Sequence, residues 1–131
     1  MLGEIITFQF RGDSRGGLVF AEAQRHIPFK IKRVYWIFGA QPDAERGFHA
    51  HKELNQVAVA VSGSCEIDLD DGKVTASITL ASPEKGVFIG PGVWRVIRNF
   101  TPNCVLLVFA DGHYYESDYI RDYDLFLAFV S

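Results

Sequence analysis

The sequence predicts an all-β sandwich or barrel, and three observations predict it. Short runs rich in Val, Ile, Phe and Tyr recur along the chain. Gly and Pro punctuate those runs from end to end, where a helical protein would leave long stretches free of both. Only the last stretch carries helical spacing. The 131 residues suffice for one domain over 1–131, and a chain of that size buries roughly two-thirds of its unfolded surface.

Taken in order, the expected strands are Ile5–Phe10, Gly17–Glu22, Lys30–Phe38, Gly47–His51, Gln56–Ser62, Cys65–Asp70, Lys73–Leu80, Gly86–Ile89, Trp94–Phe100 and Val105–Ala110. Ser62-Gly63-Ser64 separates the fifth from the sixth. Asp70-Asp71-Gly72 closes the next hairpin, because Asp and Gly tolerate positive φ. Gly90-Pro91-Gly92 stops any strand, since Pro fixes φ and removes a donor. Tyr114–Val130 reads as partly helical: Asp118, Arg121, Asp122 and Leu125 recur near helical spacing, with Phe126 and Phe129 on an apolar side.

At 48% hydrophobic and 14% aromatic, the chain is no disordered segment. A net charge of −3 gives no reason to expect a nucleic-acid partner. No apolar run reaches the ~18 residues of a membrane span. Met1–Phe10 carries Glu4 and lacks a basic start followed by a long apolar run. Cys65 and Cys104 form no CxxC pair, so two reduced core thiols and a cytoplasmic location are expected.

The most informative segment is Gly47-Phe48-His49-Ala50-His51. Side chains alternate faces along a strand, so His49 and His51 point the same way. Two adjacent imidazoles suit a metal or proton transfer. Four residues separate His51 from Gln56, and six more separate Gln56 from Gly63. Downstream, Pro91-Gly92 is followed by Val93-Trp94-Arg95, and Asn99 lies four residues after Arg95. Arg95 and Asn99 share strand parity and are expected to face the same interior as the histidines.

These spacings resemble the two cupin motifs, with Gln56 in the place of the usual Glu and Arg95 in the place of the third His. Arg has no lone pair to donate and carries a fixed positive charge. Gln is a weak neutral ligand. No functional metal is therefore expected.

The resemblance narrows further. Pro28 to Phe38, Arg46 to Lys52, Asp13-Ser14-Arg15-Gly16, Gly90 to Trp94 and Asp118-Tyr119-Ile120-Arg121-Asp122-Tyr123 are similar to segments of the cupin sugar 3,4-ketoisomerases that act on dTDP-4-keto-6-deoxyglucose. The resemblance implies a cupin jelly-roll barrel with a short C-terminal helical segment. It also implies a homodimer with N-terminal strand exchange, and a ketone moved from C4 to C3 without metal or organic cofactor, in deoxyamino-sugar synthesis for surface polysaccharides.

Such an isomerisation removes the C3 proton, passes through an enediol or enediolate, and delivers a proton to C4. Histidine suits this because its unperturbed pKa lies near neutrality. His51 is expected as the C3 base and His49 as its partner in proton shuttling. Tyr35 and Arg95 are candidates to stabilise the enediolate. Arg33, Arg46, Arg95 and Arg15 are candidates for the diphosphate, which a planar guanidinium binds bidentately. Gln56 and Asn99 complete the expected substrate site. Ala58 and Ala60 share parity with Gln56 and leave room for a ligand. Three other readings stay open: a metal-dependent cupin, a non-catalytic sugar-binding cupin, and a 3,5-epimerase acting on the same substrate.

Overall fold

The computed structural model describes residues 1–131. Twelve strands are formed: β1 (Ile5–Thr7), β2 (Gln9–Asp13), β3 (Gly16–Phe20), β4 (Arg33–Phe38), β5 (Arg46–His51), β6 (Gln56–Ser62), β7 (Cys65–Asp70), β8 (Thr75–Leu80), β9 (Lys85–Ile89), β10 (Trp94–Arg98), β11 (Val105–Ala110) and β12 (Tyr119–Ile120). A 3-10 turn over Glu116–Asp118 precedes β12, and helix α1 (Tyr123–Val130) ends the chain.

Two five-stranded antiparallel sheets face each other, in the orders β1-β9-β6-β11-β4 and β12-β5-β10-β7-β8, and β2-β3 is a separate hairpin. This is the cupin jelly roll. Its two sheets are not hydrogen-bonded into one closed barrel.

The alternation of each strand builds the layers. Ala58 and Ala60 of β6, Val87 and Ile89 of β9, and Leu106 and Val108 of β11 meet Ile67 and Leu69 of β7 and Ile97 of β10 between the sheets. The opposite parity of β6, Val57 and Val59, packs outward against Phe8, Ile27 and Phe109. Both faces of β6 are thus covered, which is why it reads as an unbroken apolar run. On the far side of the second sheet, Trp94 and Ile120 pack on the fully buried Phe126 of α1. Asp122 caps that helix, its side chain accepting from Leu125 N at 3.0 Å, a contact worth ~1 kcal/mol.

The Asp70-Asp71-Gly72 turn joins β7 to β8 as expected, with Gly72 at φ 91°. Cys65 and Cys104 are buried free thiols, and burial pushes the Cys65 thiol up to about 12.

The strands expected over Gly17–Glu22, Lys73–Leu80 and Trp94–Phe100 are each two residues shorter at one end, at Phe20, Thr75 and Arg98, and three elements differ more. Ile5–Phe10 is two strands broken at the buried Phe8, and β1 pairs with β9 of its own chain. Lys30–Ile31–Lys32 precedes β4 instead of belonging to it. Within Tyr114–Val130, helix begins only at Tyr123, because Tyr119 and Ile120 pair with His51 and Ala50 as β12. A sheet edge with open backbone groups prevailed there over local helical spacing.

Candidate active site

The site is built on β5, and β5 is bulged. Arg95 pairs with His49, but its neighbour Val96 pairs with Gly47, so Phe48 is the extra residue. Gly47 at φ 100° and Phe48 at φ 56° supply the left-handed backbone. A Cβ at Gly47 would sit 2.8 Å from the Arg95 carbonyl oxygen, so glycine is required where the strands approach. The bulge restarts the alternation. Arg46, paired with Ile97, therefore joins His49, paired with Arg95, on the inner face.

Inside lies a cavity of ≈ 390 Å³ whose lining includes Arg33, Tyr35, Arg46, His49, Gln56 and Arg95. Tyr119 and Arg121 close one side, and aliphatic residues such as Ile67, Ile89 and Val108 form the floor. Four guanidiniums and no carboxylate face this space, on a chain whose net charge is negative. A larger groove of ≈ 520 Å³ on the outside, lined by Lys52, Asp111, His113 and Asp118, has neither the histidine pair nor an arginine.

Arg95 is 3% exposed. It donates from Nη1 to Gln56 Oε1 at 2.5 Å and from Nη2 to Val93 O at 3.1 Å. Gln56 in turn donates from Nε2 to the Tyr35 hydroxyl at 3.1 Å. The amide is thus a neutral bridge between guanidinium and phenol, a task a carboxylate or a metal ligand would perform differently. Burial raises the Tyr35 pKa, which keeps the phenol protonated. Arg33 lies over the Tyr35 and Tyr114 rings, at 5.7 and 5.8 Å, and its buried Nε has no protein partner.

The histidines differ in depth. His49 lines the cavity; His51 does not, and is 1% exposed. Their rings meet edge to face, centroids 5.0 Å apart, and the Tyr119 ring covers both at 5.0 and 4.4 Å. Behind them, His51 Nδ1 stands 2.8 Å from Asp118 Oδ2. His49 Nδ1 and His51 Nε2 are buried and unpartnered.

Burial, followed by the Arg95 charge, lowers the pKa of His49 to about 3 and that of His51 to about 4. Both are neutral at pH 7 and able to accept a proton. The same shifts predict acid lability. In the unfolded chain these histidines titrate near 6.5, so below that pH the unfolded state binds more protons and the unfolding free energy falls. The contribution is complete above about 6.5 and is lost as pH drops toward the folded values of about 4 and 3. Asp68 and Glu116, held low by Arg98 and Arg121, respond only at greater acidity. Urea midpoints at pH 7, 6 and 5 are therefore expected to fall in that order; a midpoint that holds or rises between pH 6 and 5 overturns the account.

Of the expected site residues, the fold gathers His49, Tyr35, Arg33, Arg46, Gln56 and Arg95 around one cavity, with His51 beneath. Two are not brought there. Asn99 is exposed: β10 ends at Arg98, and Asn99 adopts φ 55°, which turns it out of the strand's alternation. Arg15 sits at the tip of the β2–β3 hairpin, its side chain 88% exposed and paired with Asp13 at 2.6 Å. It does not reach the cavity of its own chain.

The family described as WxcM-like, C-terminal matches residues 2–131. The chain belongs to that family. This WxcM-like chain is 47% identical to the TDP-4-oxo-6-deoxy-alpha-D-glucose-3,4-oxoisomerase of Aneurinibacillus thermoaerophilus, over 100% of its own length and 94% of the relative's. Its fold superimposes with a TM-score of 0.93 on a 3,4-ketoisomerase from Helicobacter canadensis, 50% identical, covering 97% of this chain and 96% of that one. It superimposes equally, TM-score 0.93 at 42% identity over 95% and 91% of the two chains, on a 3,4-ketoisomerase of Thermoanaerobacterium thermosaccharolyticum. That structure is a histidine-to-asparagine mutant in complex with TDP-4-keto-6-deoxyglucose. Its likeness to a dTDP-4-dehydrorhamnose 3,5-epimerase of Bacillus anthracis, at 12% identity, is one of fold alone.

Sequence reasoning on this WxcM-like chain missed three residues: Asp118, Tyr119 and Arg121. Asp118 ends the 3-10 turn, Tyr119 opens β12 and Arg121 follows it, all within the segment whose spacing reads as partly helical. Arg121 covers the Tyr119 ring at 4.2 Å and is held by Glu116 at 2.7 Å. The available signal was the resemblance of Asp118 to Tyr123 to a ketoisomerase segment, since a helical reading gives no reason for Asp, Tyr and Arg to converge on one site.

Proposed function

We propose that this chain is a metal-independent 3,4-ketoisomerase that moves the ketone of dTDP-4-keto-6-deoxyglucose from C4 to C3 by histidine acid–base transfer. One observation carries the reading: a neutral histidine pair, His49 lining and His51 beneath a cavity that holds four arginines and no carboxylate. An arginine-lined, half-apolar cavity suits a diphosphate-linked deoxysugar. The neutral histidines suit proton transfer at carbon. The relatives' names favour the ketoisomerase over the 3,5-epimerase and the non-catalytic cupin.

The depth of the two histidines supports exchanging the roles expected of them. His49, the one that lines the cavity, removes the C3 proton, and His51 is its partner in the second transfer. As the proton leaves C3, the electron pair forms the C3–C4 double bond and charge collects on O4. Arg95 and the protonated Tyr35 phenol stabilise that charge. A proton then adds to C4, the O3 proton is lost and O4 takes up a proton, so the ketone is at C3 and a hydroxyl is at C4. Arg33, Arg46 and Arg121 offer guanidiniums to the diphosphate. Arg95, which repels a cation and bonds to Gln56 where a ligand would stand, supports metal independence.

A homodimer is part of this reading. The β2–β3 hairpin pairs with no other strand of its chain and leaves Phe10 and Leu18 exposed beside an apolar groove containing Val61, Leu107 and Phe109. It is the N-terminal element free to cross to a partner, and it carries Arg15. A sedimentation mass of one chain at micromolar concentration overturns the dimer. We place the enzyme in the cytoplasm, in deoxyamino-sugar synthesis for surface glycans; no helix is long and apolar enough to cross a membrane.

Incubation with dTDP-4-keto-6-deoxyglucose in D₂O tests the function. NMR is expected to show a C3 ketone and deuterium at C4, with the same rate after exhaustive chelation. Deuterium at C3 and C5 with the ketone still at C4 identifies an epimerase instead. Loss of activity in EDTA, restored by one metal, overturns metal independence.

A further inference from the structure

The two oxygens of Asp118 are both engaged. Oδ1 accepts from the Glu53 backbone N–H at 2.8 Å, and Oδ2 lies 2.8 Å from His51 Nδ1. The backbone holds the residue in place, because Lys52 N donates to Asp118 O at 2.9 Å and Tyr119 pairs with His51. An ionised carboxylate only accepts, so the ring is the donor and Nδ1 carries the hydrogen. In a neutral imidazole this leaves Nε2 as a lone pair. That atom is buried, has no protein partner, and belongs to a ring in edge contact with His49.

We propose that Asp118 is a positioning residue that fixes His51 as the Nδ1–H tautomer and so presents an unprotonated Nε2 in the histidine pair. The tautomer itself needs no assumption about substrate; its consequence for turnover rests on the reading of His51 as the second proton-transfer group. Asp118 is absent from the cavity lining and faces the outer groove instead. It acts through His51 and not on the sugar.

The Asp118→Asn substitution has a defined result because Glu53 N–H holds the oxygen side. The amide carbonyl keeps that bond and the loop with it. The amide NH₂ then faces His51 Nδ1, which must become an acceptor, and the hydrogen moves to Nε2. The lone pair is lost where the pair needs it.

The test is ¹⁵N NMR of the imidazoles at pH 7, with the His51 signals identified by their absence in a His51→Asn variant, alongside steady-state kinetics. Wild-type His51 is expected with protonated Nδ1 and unprotonated Nε2. In Asp118→Asn the pattern inverts and kcat falls by about 10²–10⁴-fold, with KM changed less than about threefold. A wild-type Nε2–H tautomer overturns the proposal, and that spectrum requires no variant to fold. So does an unchanged tautomer in Asp118→Asn, or an inverted one with kcat near wild type. If wild type shows the Nδ1–H tautomer but never turns over the keto sugar, the ketoisomerase reading fails and the assignment of the tautomer stands.

Discussion

A His49→Asn variant is expected to bind the nucleotide sugar and to turn it over about 10²–10⁴-fold more slowly, the range that a positioned acid–base group contributes. Asn keeps a polar side chain of similar reach but has no basic lone pair at neutral pH. Exchange of the C3 hydrogen with D₂O is the discriminating readout, since it reports proton removal separately from delivery to C4. The His49 variant is expected to lose exchange and product together. His51→Asn is expected to lose product strongly while retaining some exchange, because the ring that lines the cavity is still present. If His51→Asn abolishes exchange and His49→Asn does not, the base is the deeper histidine and the depth argument fails.

Arg95→Met is expected to have a comparable effect by a different route. The guanidinium is buried, bridges Val93 and Gln56, and is the second-largest cause, after burial, of the lowered pKa of both histidines. Methionine fills much of the volume without the charge. Loss of a donor aimed at the enediolate costs about 10²–10³-fold in kcat, and loss of one cationic group in the cavity weakens substrate binding as well, so kcat and KM both worsen. The pH profile separates this from simple misfolding. Removing a positive charge makes each imidazole easier to protonate, so its pKa rises. Burial, the largest cause, remains, so it stays below 6.5. The acid limb of kcat, expected in wild type to follow the lowered histidine pKa values, is expected to move toward neutrality in Arg95→Met. A variant with wild-type KM, or an acid limb that does not move, contradicts the role assigned to Arg95.

What could be read from the sequence is what strand alternation and local turn chemistry encode. The i, i+2 spacing put His49 and His51 on one face, and the parity of Gln56 with Ala58 and Ala60 predicted a polar group above small inward residues. Asp71-Gly72 placed a hairpin. The two motif spacings brought Gln56 and Arg95 to the histidines, and they are bonded to each other. Each of these rests on neighbours a few residues apart or on a pattern spanning the fold, so the chain states them directly.

The rest depended on which strand lies alongside which. Simple alternation puts Arg46 opposite His49; the Phe48 bulge in the pairing of β5 with β10 brings it inward. The same alternation puts Asn99 beside Arg95, yet β10 ends one residue earlier and the left-handed φ turns it out. Asp118 and Arg121 carry a helical spacing, yet β5 offered an unpaired edge to the returning chain, so Tyr119 and Arg121 became a wall of the cavity and Asp118 came to stand behind His51. Thus the sequence alone determined the jelly-roll class and the His49, His51, Gln56 and Arg95 set. Tertiary structure decided which histidine meets the cavity and which carboxylate orients the other, because bulges, strand ends and edge pairing are settled by partners distant in sequence.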